Sequence, residues 1–124
     1  MSRMAKPVMF PGDAINYLHP ASAEADIAVG DVVALVSICG IAETNIKKGE
    51  RGALRLNGVW DITAVTGTAF AVGDAVYWDS AAKNATKVAS TSSPSQTNTF
   101  LGIVIMPKAS AANVACVKIG YAKV

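Results

Sequence analysis

The chain has few of the groups that do chemistry. One histidine, His19, and two cysteines, Cys39 and Cys116, are all that 124 residues supply of the side chains most used as bases, nucleophiles and soft metal ligands. The cysteines are 77 positions apart and neither belongs to a CxxC pair, so no zinc-type ligand spacing or dithiol redox motif is present. A single imidazole without Gly-x-Ser-x-Gly makes no catalytic triad, and His19, followed by Pro20, reads as an exposed loop residue. There is no Gly-x-x-x-x-Gly-Lys-Ser/Thr and no Gly-x-Gly-x-x-Gly, hence no phosphate cradle of either kind. These absences lead to an expectation of no enzyme activity, no cofactor and no metal.

Charge is scarce too. Charged residues make up 16% of the chain, against ~25% in an average soluble domain. A net charge of +2 gives no basic footprint for nucleic acid. No apolar run approaches the ~18 residues of a membrane span, and residues 1–7 contain no signal-peptide core. The expectation is therefore a protein made and kept in a cytoplasm until assembly, with no membrane partner and both thiols unpaired.

What the sequence does have is turns. Ile27-Ala28-Val29-Gly30-Asp31-Val32-Val33 is nearly repeated by Phe70-Ala71-Val72-Gly73-Asp74-Ala75-Val76, with looser copies at Gly12-Asp13 and Gly49-Glu50. In each, glycine supplies the left-handed backbone of a tight turn, and an acid can accept a hydrogen bond from the chain beside it. An apolar run leaves each turn. The run Val32 to Ile38 reads as one strand buried on both sides. Residues 53–62 read as one alternating strand, with Leu54, Leu56, Trp60 and Ile62 inward and a kink at Gly58. Ala75 to Trp78, Ala85 to Ala89, Phe100 to Met106 and Val114 to Tyr121 are further strands, with a hairpin loop over 79–84 and an exposed, mobile Ser/Thr-rich loop over 90–99. No segment carries a sustained helical period.

At this length one modest core forms. The pattern predicts an all-β, small single-domain β-barrel/sandwich-like fold of short antiparallel strands, residues 11–124, preceded by an extended N-terminal arm, residues 1–10. Met4, Val8, Met9 and Phe10 make that arm apolar, and Pro7 and Pro11 oppose helix there, so the arm either packs on its own domain or is a candidate intersubunit contact. Lys47, Lys48, Arg51 and Arg55 form a small basic cluster that reads as a solvated face. Joined to Tyr77 and Trp78, it supports an alternative, a small β-barrel binding module for nucleic acid or peptide.

The order Pro11-Gly12-Asp13, Val29-Gly30-Asp31, Ile38-Cys39-Gly40-Ile41-Ala42, Gly49-Glu50, Leu54 to Ile62, Val72-Gly73-Asp74-Ala75-Val76-Tyr77-Trp78-Asp79, Leu101-Gly102-Ile103-Val104 and a closing Val-rich strand resembles the DUF2190 family of tailed-phage proteins, regarded as capsid cement or decoration proteins. The resemblance covers roughly residues 8–122. It implies a structural, non-enzymatic protein of the virion that binds the major capsid protein outside a phage head, bridges capsomers and forms a homotrimer. A RecA-like recombinase label carried by some members does not suit a chain without a phosphate loop.

Overall fold

Residues 14–35, 37–92 and 95–120 of the computed structural model are described; among them the chain forms eleven short strands and no helix. β1 (Ala14–Leu18), β2 (Val32–Ala34), β3 (Cys39–Ala42) and β4 (Arg51–Arg55) make one antiparallel sheet in the order β1-β4-β3-β2. β5 (Gly58–Thr63), β6 (Ala75–Asp79), β7 (Asn84–Thr86), β10 (Thr99–Val104) and β11 (Val114–Ile119) make a second, in the order β5-β11-β10-β6-β7. β8 (Ser90–Ser92) and β9 (Ser95–Thr97) form a separate small hairpin. The fold is all-β and sandwich-like, with no closed barrel, although Ala64 just after β5 bridges Ala85 of β7 and brings the ends of the second sheet together.

The two sheets are two copies of one unit. β1 lies on β4 (Leu18 opposite Arg51) as β5 lies on β11 (Thr63 opposite Val114). Ala42 faces Leu54 as Val104 faces Val117, and Val32 faces Ile41 as Ala75 faces Ile103. Ile27 bridges Ile46, four residues after Ala42; Phe70 bridges Lys108, four residues after Val104. Even the close approaches recur. A Cβ on Gly40 would meet Leu54 Cβ at 3.2 Å and the Arg55 carbonyl at 3.4 Å, and one on Gly102 would collide with the Lys118 carbonyl and Val117. The second unit differs by an insertion, β7 to β9, between its second and third strands.

Each unit wraps its own apolar interior. Ile27, Ala42, Ile46 and Leu54 fill the first; Phe70, Val104 and Val117, their counterparts, belong to the second with Ile62, Val76, Trp78 and Ile119. β3 joins them, because Cys39 and Ile41 point into the second core while Ala42 points into the first. All four of its residues are buried.

Four expectations are corrected here. The run Val32 to Ile38 is not one strand: β2 ends at Ala34, and the Leu35 N–H donates to the Ile38 carbonyl to close a reversal. The strand buried on both faces is the next one, β3. Hydrophobicity alone does not register a reversal inside an apolar run. Residues 53–62 are two strands in different sheets, and Gly58, at φ 107°, is the corner between them. The return strand after the 79–84 loop stops at Thr86. Residues 90–99 hold the β8–β9 hairpin and the start of β10, tied down at buried Asn98, whose N–H and Nδ2 donate to the carbonyls of Ala89 and Val88.

Candidate functional site

In the two Val-Gly-Asp turns the aspartate closes a ring of four residues. Asp31 accepts from the Ala28 N–H at 2.9 Å and Asp74 from the Ala71 N–H at 2.8 Å, while each aspartate N–H donates back to that alanine's carbonyl. Gly30 and Gly73 hold φ of 90° and 94°, the left-handed value that the third position of a type II turn requires. The Gly49-Glu50 turn is built differently. Glu50 N–H donates to the Lys47 carbonyl, but the carboxylate at this turn is Asp26, which accepts from the Lys48 N–H. Gly12, Asp13, Met4, Val8, Met9 and Phe10 lie outside the described residues.

The turn geometry aims the valines outward. Val29 is 60% exposed and Val72 62%. The Gly73 N–H donates to the Val104 carbonyl, which sets Val72 close to the end of β10, where exposed Ile105 and Met106 follow. The result is an apolar projection from the second sheet.

Carboxylate chemistry is structural. Donation from the Ala71 N–H, with Lys87 at 3.4 Å, holds the Asp74 carboxyl below its ordinary range. The Ala82 N–H, Gln96 Nε2 and the Ala81 N–H do the same for Asp79, fixing the loop between β6 and β7. Both cysteines are unpaired thiols. Burial pushes Cys39 up to about 12 and, with the Asp61 charge, raises Cys116.

His19 corrects the exposed-loop reading. It is buried, its Nε2 lies 2.7 Å from the Ala25 carbonyl, and Nδ1 is buried without a partner. Its N–H donates to Glu50 O and its carbonyl accepts from the Gly49 N–H, so it pins the end of β1 to that turn. In the sequence Lys108 simply opens the turn that follows Pro107. It is 5% exposed, and Nζ donates to the carbonyls of Thr68, Ala109 and Ala112 at 2.7, 3.0 and 2.8 Å, 4.9 Å from the centre of the Phe70 ring. It stands where Ile46 stands in the first unit.

The platform for the alternative module does not assemble. Trp78 is 9% exposed and belongs to the core, and Tyr77 packs edge-on against Phe100. Arg55 pairs with Glu43 at 3.3 Å, while Lys47, Lys48 and Arg51 stand exposed. Among the described residues no group of three or more His, Cys, Asp or Glu could hold a metal, and no helix is long and apolar enough to cross a membrane.

A cleft of about 640 Å³ lies between β2 and β5. Ile41, Ile62, Trp60 and Trp78 supply its apolar lining, and Asp31, Asp61 and Lys83 its charges. Trp60, expected in the core, is half-buried at this wall, with Nε1 donating to the Asn57 carbonyl. Buried His19 lines it as well, and its two edge strands and two tryptophans make it a surface suited to shape and backbone pairing.

Comparisons with curated proteins and with solved structures gave no match. A family model described as phage cement protein matches residues 11–119, a span that contains every strand described above. The chain belongs to the phage cement protein family.

Proposed function

We propose that this protein binds the outer surface of an expanded phage head, contacts the major capsid protein and bridges neighbouring capsomers. It does so as a homotrimer, each chain contributing one β domain over residues 11–124 and an arm whose Met4, Val8, Met9 and Phe10 make intersubunit or capsid contacts. It is synthesised in the host cytoplasm and ends on the virion exterior, and its action is binding without catalysis. The observation that carries the reading is the family match across all eleven strands. Exposed Val29, Val72, Ile105 and Met106 suit apolar docking.

The mechanism is linkage. A ligand that binds only the expanded lattice stabilises it by RT ln(1 + [L]/Kd), about 2.7 kcal/mol per site at a hundredfold excess over Kd. Attaching through several subunits at once raises avidity without new contacts. Co-sedimentation with purified heads tests this: binding to expanded but not unexpanded heads is expected, weakened by deletion of residues 1–9. Equal binding to both head forms, or none, overturns the reading. Tight binding to single strands with a steep salt dependence would favour the nucleic-acid module in its place.

A further inference from the structure

The two units differ in what lies beside their second strand. In the second unit β7 covers the outer edge of β6, pairing Tyr77 with Thr86, Trp78 with Ala85 and Asp79 with Asn84. In the first unit β2, the counterpart of β6, ends its sheet among the described residues. Its backbone is set for a further strand. Ala42 N–H donates to the Asp31 carbonyl and Leu35 N–H to the Ile38 carbonyl, so Asp31, Val33 and Leu35 face β3 while the N–H and C=O of Val32 and Ala34 face away. The cleft lies along this edge, and its far wall is β5, the end strand of the other sheet.

We propose that the outer edge of β2 and the adjoining cleft receive residues 1–10 of a second copy of the chain, added as a strand antiparallel to β2 as β7 is to β6. The occupant's chemistry fits. Met4, Val8 and Phe10 fall on one side of an extended segment and suit the Ile41, Trp60 and Trp78 lining. Arg3 and Lys6 complement exposed Asp31 and Asp61. Pro7, which has no N–H to donate, is tolerated in a strand that is itself an edge.

The donor is a second copy because Phe10 cannot reach that edge within its own chain. From Ala14 to residue 10 a fully stretched path covers at most ~14 Å. The position beyond β2 lies four strand spacings from β1, ~19 Å. In the homotrimer proposed above, each copy gives a segment to one neighbour and takes one from another, a head-to-tail contact that closes into a ring. This deepens the proposed function by naming where its intersubunit contact is made, but it holds for the protein away from any head.

The test uses the full chain in solution and a synthetic peptide of residues 1–10. Sedimentation velocity of the parent protein is expected to give a closed oligomer. Ala34→Pro removes an outward donor while sparing the bonds to β3, and Asp61→Lys reverses a charge on the cleft; each is expected to weaken assembly at least tenfold with an unchanged circular dichroism spectrum. The peptide is expected to bind protein lacking residues 1–10, more weakly as salt rises, and at least tenfold more weakly when that protein also carries Ala34→Pro. A monomeric parent, an oligomer indifferent to both substitutions, or a peptide that does not bind would each overturn the inference. An intact ring that ignores expanded heads would count against the capsid reading and leave this one standing.

Discussion

Lys108 allows the sharpest energetic prediction. Its ammonium, buried over Phe70, gathers two carbonyls of the turn that precedes β11 and ties them to the Thr68 carbonyl. Hydrogen bonds from a charged donor contribute about 1.5–3 kcal/mol each before its desolvation is counted, and removing an ammonium from water costs several kcal/mol. The net gain is therefore far below the gross figure. Thr68, Ala109 and Ala112 are exposed residues, so water reaches their carbonyls once Nζ is gone. Lys108→Met keeps the length of the apolar stem and its contact with Phe70, and is expected to cost about 1–2 kcal/mol. Lys108→Ala also loses three methylenes, adding about 2 kcal/mol. Urea unfolding of both variants, with midpoints compared at constant slope, reads these differences directly. A Lys108→Met protein as stable as the parent would refute the view that the carbonyl cluster holds this turn. Equal midpoints for Met and Ala would refute the role given to the stem.

Three further predictions follow from the same geometry. Gly102→Ala drives a Cβ into the Lys118 carbonyl and Val117, and should cost about 3 kcal/mol, whereas Gly40→Ala, meeting Leu54 at 3.2 Å, should cost about 1 kcal/mol; equal costs would contradict the packing described. The Asp74 and Asp79 carboxyls sit below their ordinary value of 3.8 in the folded chain, so unfolded chains take up protons first as pH falls. The stability these turns supply is complete above that value and is lost as pH drops through and below it, so Asp74→Asn should flatten the acid limb of stability against pH, and an unchanged slope would contradict the capping role. Cys39, pushed up to about 12 by burial, should resist thiol reagents at pH 8 in native protein and react fully in urea; rapid native labelling would place it elsewhere.

Much of the architecture was legible because it is written in short local signals. The Val29-Gly30-Asp31 and Val72-Gly73-Asp74 turns carry their own geometry, since a left-handed glycine and an accepting carboxylate act within four residues. The doubling of the whole unit left one further trace, Cys39-Gly40-Ile41-Ala42 against Leu101-Gly102-Ile103-Val104, where close approach to the neighbouring strand requires glycine in both copies. The reversal after Ala34 was not legible, because its residues are as apolar as the strands beside it. The burial of His19 and Lys108 is illegible for a common reason: each is covered by chain distant in sequence, the Gly49-Glu50 turn for His19 and Thr68 with Phe70 for Lys108. The cleft was equally hidden, since it exists only where the edges of two sheets meet.

Heating heads bare or saturated with this protein, and recording the temperature at which they release their DNA, tests its role as cement most directly. Saturated expanded heads should hold their contents to a higher temperature, in proportion to occupancy. Release at the same temperature from bare and fully occupied heads would contradict the account.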